Sequence, residues 1–229
     1  MPEKIALKSI CGVEGVRASG IKEGKFGLAL IEASGAAAGV FTTNLVRAPP
    51  VTLMEERIRN GKLDAVIVNS GCANAYTGKQ GYHDAIRMGE IAARELGIDP
   101  EHVGVASTGV IGRYLDLPRI KDQCQRIAPL LEHSPLAETC AARAIMTTDL
   151  TEKHALVSGN GFSVGGITKG SGMIAPNMGT MLAFLYSDAD ISASSLSPAL
   201  RQAADRTFNR IVVDGDMSTN DIALCTATG

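Results

Sequence analysis

Apolar residues fall in short runs along this chain, and each run breaks on glycine, asparagine or serine. Gly27 to Ile31, Ala38 to Thr42, Ala65 to Asn69, Val103 to Ala106, Phe162 to Ile167 and Met181 to Tyr186 are rich in Val, Ile, Leu and Ala, which predicts buried β-strands. Between them the spacing turns helical. Asp84 to Leu96 stops at Gly97 with Pro100 beyond, and Leu117 to Leu131 starts from an Asp116 cap with Pro118 in its first turn. Leu117, Ile120, Cys124, Ile127 and Leu131 share one face of that second helix, so the stripe reads as core. Ser134-Pro135 and Ser197-Pro198 repeat the cap-then-proline signal and predict helices through about Met146 and about Asn209. Strands alternating with helices predict an α/β fold of layered sheets flanked by helices. No internal repeat, low-complexity tract or long polar linker interrupts the pattern.

Composition narrows this picture. The 229 residues can bury a core in one large domain or two small ones. Hydrophobic content is 45% and aromatic only 4%, without tryptophan, so that core is aliphatic. A net charge of -2 without clustered basic residues argues against a nucleic-acid or anionic-membrane surface. Five scattered cysteines with no C-x-x-C pair, and no signal-like apolar run after Met1, suggest free thiols in a reducing cytoplasm. The four histidines show no zinc spacing. No cofactor is expected.

Candidate chemistry concentrates in Lys169 to Phe184, K-G-S-G-M-I-A-P-N-M-G-T-M-L-A-F, where a glycine-rich segment ends on Thr180 and runs into an apolar strand. A threonine hydroxyl needs a base beside it, and a threonine at a new chain terminus carries one, its α-amino group of pKa about 7.7 to 8. Gly179 lacks a Cβ, so the bond between the two could be held in a strained turn that exposes its carbonyl to Oγ. The bland alternative is a glycine-rich turn feeding a strand.

This segment resembles the self-cleavage region of the ornithine acetyltransferase family, the glutamate N-acetyltransferases of arginine biosynthesis. Five further segments are similar to motifs of that family, in the same order: Ala38 to Val46, Val68 to Gly78, Val105 to Gly112, Met146 to Asp149 (M-T-T-D) and Val213 to Asp221 (V-D-G-D-M-S-T-N-D). The departures are Gly179, where the family usually has alanine, and Cys72 and Tyr76, at positions the family varies.

The resemblance implies a self-processing fold of the DmpA/ArgJ-like kind, with residues 1–179 as an α-chain and 180–229 as the start of a β-chain. It implies that Thr180 is the nucleophile after cleavage at Gly179-Thr180, and that Thr108 and Gly109 form the oxyanion hole. Thr147, Lys169 and Thr180 would contact substrate, with Thr148 as the rival to Thr147 and Asp149 as a turn cap. The reaction implied carries acetyl from N2-acetylornithine to glutamate, in many members also from acetyl-CoA, in a tetramer of two α- and two β-chains. Family chains continue beyond Gly229 with a glutamate and terminal residues of the pocket, so a carboxyl-terminal region is expected to be missing.

Other readings compete. A related N-terminal-nucleophile amidohydrolase or aminopeptidase would share the cleavage and differ in passing its acyl group to water. A phosphate site at Gly165, Gly166, Lys169, Gly170, Ser171 and Gly172 has its lysine ahead of the glycine and a strand following, unlike a P-loop. A serine hydrolase through Ser107 and His102 lacks a G-x-S-x-G elbow. Asn69 and Ser70 read as turn holders. Asp214, Asp216 and Asp221 look metal-like, but their serine, threonine and asparagine neighbours suit a hydrogen-bonded turn.

Overall fold

The computed structural model describes residues 8–175 and 181–229. The chain opens with an antiparallel hairpin of β1 (Arg17–Glu23) and β2 (Phe26–Phe41), turned at Gly24 with φ +59°. There follow α1 (Pro49–Arg57), β3 (Lys62–Cys72), α2 (Gly78–Leu96), β4 (Val103–Val110), α3 (Leu117–Ile127) and α4 (Pro135–Ile145). The last part holds β5 (Lys153–Gly159), β6 (Phe162–Lys169), β7 (Leu182–Ser187), α5 (Ala193–Arg206) and β8 (Ile222–Ala227).

The eight strands among the described residues join one mixed sheet in the order β4-β3-β2-β8-β7-β6-β5, with β1 paired to β2. β3/β4 and β7/β8 are parallel, the other pairs antiparallel. The segments before 179 and after 180 therefore share a sheet, because β8 and β7 lie between β2 and β6. α4 packs on β1 and β2, α5 on β2, and α1 and α2 on β4. The core is aliphatic as expected, with Phe184 and Tyr186 its large aromatic members.

Several local signals act as predicted. Asp116 accepts the amide hydrogen of Arg119 and Ser134 that of Ala137, so both caps are real. Ile120, Cys124 and Ile127 are buried, with Leu117 and Leu131 packed at the margin of the core.

Other elements depart from the sequence expectation for physical reasons. The runs at 27–31 and 38–42 belong to one strand, since a bulge between Glu32 and Gly35 lets β2 bend from its pairing with β1 to its pairing with β8. A Cβ on Gly35 would stand 1.7 Å from the Ala227 carbonyl oxygen, so that approach requires glycine. β1, β5 and β8 escape the apolar-run criterion. β1 reads R-A-S-G-I-K-E, β5 is a largely exposed edge, and β8 follows a polar S-T-N-D. α1 begins on Ala48 without a side-chain cap. α2 starts at Gly78 rather than Asp84. α5 is capped by Ser192, which leaves Pro198 inside the helix instead of at its start.

All five cysteines are free. Burial pushes the Cys11 thiol up to about 11 and those of Cys124 and Cys225 to about 12, so these sulfurs are packing groups. No helix among the described residues is long and apolar enough to cross a membrane.

Candidate active site

The parallel pair β3/β4 ends in a close approach of two glycines. Gly71 and Gly109 face each other in register with φ of +99° and +132°, and a Cβ on Gly109 would lie 2.4 Å from the Gly71 carbonyl carbon. No other residue type fits there without moving backbone. Thr108, 5% exposed, precedes this point, and no described residue hydrogen-bonds its hydroxyl.

Thr108 and Gly109 open onto a cavity of about 350 Å³ that also receives Lys22, Gly71, Thr147, Thr148 and Lys169. The structure thus brings together every site residue predicted among its described positions. Both threonines of the M-T-T-D motif line the cavity, but Thr148 Oγ1 is 2.6 Å from Ser171 Oγ, whereas the Thr147 hydroxyl has no described partner. Gly179 and Thr180 lie outside the described residues.

Lys169 ends β6 and is only 2% exposed, yet its ammonium has no hydrogen bond or ion pair to a described residue. Desolvation lowers its pKa to about 8, opposed by the charges of Asp149 and Asp221. Asp149 is committed elsewhere. Its Oδ1 takes Lys153 Nζ at 2.5 Å and the Gly170 amide at 2.8 Å, and its Oδ2 takes the Thr147 amide at 3.4 Å. The expected turn cap is therefore also a strut that joins the Thr147 loop to the end of β6.

Asp221 precedes β8 and is 1% exposed. Its Oδ1 accepts the Met181 amide hydrogen at 2.7 Å, while Oδ2 has no hydrogen-bond partner among the described residues. Burial raises this carboxyl to about 8. Its neighbour Asn220 donates from Nδ2 to the carbonyls of Ala73 (2.6 Å) and Ser107 (3.0 Å). The S-T-N-D segment so ties the tips of β3 and β4 to the first residue after Thr180. Thr42 fixes the same segment, donating from Oγ1 to the Ser218 carbonyl at 2.8 Å and from its amide to the Asp221 carbonyl at 3.0 Å.

The remaining candidates are structural. Asn69 donates to the Cys72 carbonyl and Ser70 to that of Ala144, consistent with holding turns. Asp214 accepts amide hydrogens from Met173, Ile174 and Asp216, a hydrogen-bonded turn, and Asp221 sits apart in the interior. His102 Nδ1 is 2.9 Å from Asp64, and no described hydrogen bond joins it to the buried Ser107. Gly165 and Gly166 lie within β6, and the described residues 170–175 that follow Lys169 form no helix, so the amide cradle of a phosphate loop is absent from the described residues. Sequence reasoning missed Lys22 and Gly71. Lys22 sits in no distinctive pattern, Gly71 lies in the Val68 to Gly78 motif without a role of its own there, and only the folded hairpin and the β3/β4 pairing bring them to the cavity.

The sequence pattern of the ArgJ family matches residues 13–229. The chain is 55% identical over 221 residues to the glutamate N-acetyltransferase of Methanosarcina mazei, a match covering 96% of this chain and 56% of that protein. The chain thus spans little more than half the length of this curated relative. It is also similar to the solved ornithine acetyltransferase from Mycobacterium tuberculosis, crystallised with ornithine (TM-score 0.71, 35% identity, 74% of this chain and 95% of that one). The L-aminopeptidase D-ala-esterase/amidase from Ochrobactrum anthropi, described as a variant of the Ntn hydrolase fold, shares the architecture (TM-score 0.61) at 13% identity, over 96% of this chain and 74% of that one.

Proposed function

This chain belongs to the ArgJ family, and we propose that it carries the nucleophile and one side of the pocket of an acetyltransferase that moves acetyl from N2-acetylornithine to glutamate in arginine biosynthesis. The observation that supports this reading best is the convergence of a buried ammonium without a hydrogen-bond partner among the described residues, Lys169, with Thr108, Gly109 and Thr147 on one cavity. A buried ammonium that no described residue hydrogen-bonds is costly, and a ligand carboxylate paired with it would offset that cost.

Maturation comes first. Thr180 Oγ attacks the Gly179 carbonyl carbon, the acyl group shifts from nitrogen to oxygen, and water hydrolyses the ester, leaving a Gly179 carboxylate and a free Thr180 amine. That amine then takes the proton from Oγ as the hydroxyl attacks the acetyl carbonyl of N2-acetylornithine. The oxyanion is received by the Thr108 hydroxyl and the Gly109 amide, and ornithine leaves with its α-amine protonated. The α-amine of glutamate attacks the acetyl-threonine ester and restores the hydroxyl. Lys169 holds the α-carboxylate that both amino acids share, and Thr147 orients the acetyl or amino-acid portion. Amide is exchanged for amide, so the step is nearly thermoneutral. Acetyl-CoA serves as an alternative acetyl donor, and two copies of each piece assemble in the cytoplasm.

Mass analysis under denaturing conditions tests the first half. Two pieces are expected, the second beginning at Thr180, with Thr180→Ala staying whole and Thr180→Ser splitting at some rate. An alanine variant that still splits at this bond sinks the mechanism. The second half is tested by acetyl transfer to glutamate and to water. Both are assayed on this chain alone and on the chain extended by the carboxyl-terminal region its relatives carry. Transfer to water alone would return the hydrolase reading.

A further inference from the structure

The cavity contains another cation, and this one is anchored by hydrogen bonds. Lys22, near the end of β1, donates from Nζ to Ser70 Oγ at 2.7 Å and to the Met146 carbonyl at 2.5 Å. Ser70 in turn donates to the Ala144 carbonyl at 2.6 Å, so the ammonium is positioned by β3 and by the last turn of α4. Both of its partners are neutral. An ammonium has three donors, and no described residue takes the third. Asp149 is the carboxylate whose field reaches Lys22, but its oxygens are already occupied by Lys153 and the amides of Gly170 and Thr147. The other charged residues lining the cavity are Lys25 and Lys169, and among the described residues no acidic side chain lines it.

A recess that presents ammonium groups from different strands, with no carboxylate lining it among the described residues, suits a ligand with more than one negative charge. Glutamate has two carboxylates. N2-acetylornithine has one carboxylate and a side-chain ammonium.

We infer that Lys22 is a specificity-determining residue: it takes the side-chain carboxylate of the dicarboxylate acceptor, while Lys169 holds the α-carboxylate common to acceptor and donor. This rests on the acetyl-transfer reading above. The sign of the charge makes the assignment testable, since Lys22 attracts the γ-carboxylate of glutamate and repels the δ-ammonium of the donor. A lysine that only braces the Met146–Thr147 loop would affect both substrates alike.

Lys22→Met and Lys22→Arg are compared in the chain extended by its relatives' carboxyl-terminal region, with thermal unfolding to establish that each folds. Lys22→Met should raise KM for glutamate about tenfold or more, the scale of one lost charge-assisted hydrogen bond. KM for N2-acetylornithine should stay level or fall, and the yield of acetyl-enzyme trapped without glutamate should not change. Lys22→Arg should recover most of the glutamate affinity. Equal effects on both substrates, or none, overturn the proposal. Calorimetric titration of the Thr180→Ala background with N-acetylglutamate and with N2-acetylornithine separates the two readings. If the parent transfers no acetyl but Lys22→Met selectively weakens N-acetylglutamate, the transfer reading fails and the Lys22 assignment stands. Binding of neither compound overturns both.

Discussion

Thr108 and Gly109 stand on one wall of the cavity and Lys169 on the other, and burial acts on these walls in opposite ways. The β3/β4 wall is made of backbone and one hydroxyl, with two glycines in contact, and has little to lose by being enclosed. The β6 wall buries the ammonium of Lys169 within the field of Asp221, a buried carboxyl that does not itself line the cavity, and enclosure moves both toward neutrality, Lys169 down and Asp221 up. One wall depends on shape and the other on charge, so geometric substitutions should damage the first and pH the second.

The largest effect that sharpens this contrast is Thr108→Ala. It should lower kcat about a hundredfold or more with a smaller change in KM, because the hydroxyl serves the transition state, and the loss should be the same at every pH. A change in KM alone would mean that the Thr108 hydroxyl has no part in the transition state. Gly109→Ala comes next, as a stability effect. The residue would be forced to φ +132° against the Gly71 backbone, and urea unfolding should report a loss of about 1–3 kcal/mol.

Lys169→Met acts on the other wall. It should raise KM for both amino-acid substrates about tenfold, the scale of one charge-assisted hydrogen bond. In the parent, KM should rise as pH passes about 8 and Lys169 loses its proton, and the variant should lack that rise. A pH dependence that survives the substitution assigns the titration to another group.

Asp221→Asn tests the second buried group through the pH dependence of stability. The folded carboxyl keeps its proton to about 8 while an unfolded aspartate loses it near its ordinary value of 3.8. Between those limits the unfolded chain binds fewer protons, and stability falls as pH rises. Denaturant midpoints taken across this window should slope less in the variant than in the parent. Parallel slopes would mean that Asp221 is ionised in the fold.

Much of this site is legible in the sequence as motif and little of it as mechanism. S-T-N-D reads as a turn, and its residues do hydrogen-bond the backbone. Only the folded chain reveals that Asn220 spans β3 and β4 while Asp221 holds Met181. Thr108 is legible only through the resemblance of Val105 to Gly112 to a family motif, since a strand followed by T-G reads by itself as a strand-exit turn. Lys22 is not, because its role depends on Ser70 and Met146, which are 48 and 124 residues away. The same limit applies to the strands. Runs of Val and Ile mark β3 and β4, whereas β1 is a strand only because β2 and α4 cover it.

The interleaved strand order has one more consequence. A cut before Thr180 would leave β7 and β8 on the second piece, inserted between β6 and β2 of the first, with strand ladders on both sides. The pieces would stay together as one folded body, held by those ladders without a covalent link. Once unfolded they would be two molecules, so recovery would become a second-order encounter whose yield depends on dilution, whereas the uncut chain refolds by itself. Cleavage would thus give the protein a history: it would fold once as a single chain, and afterwards its persistence would rest on slow unfolding more than on an equilibrium it could revisit.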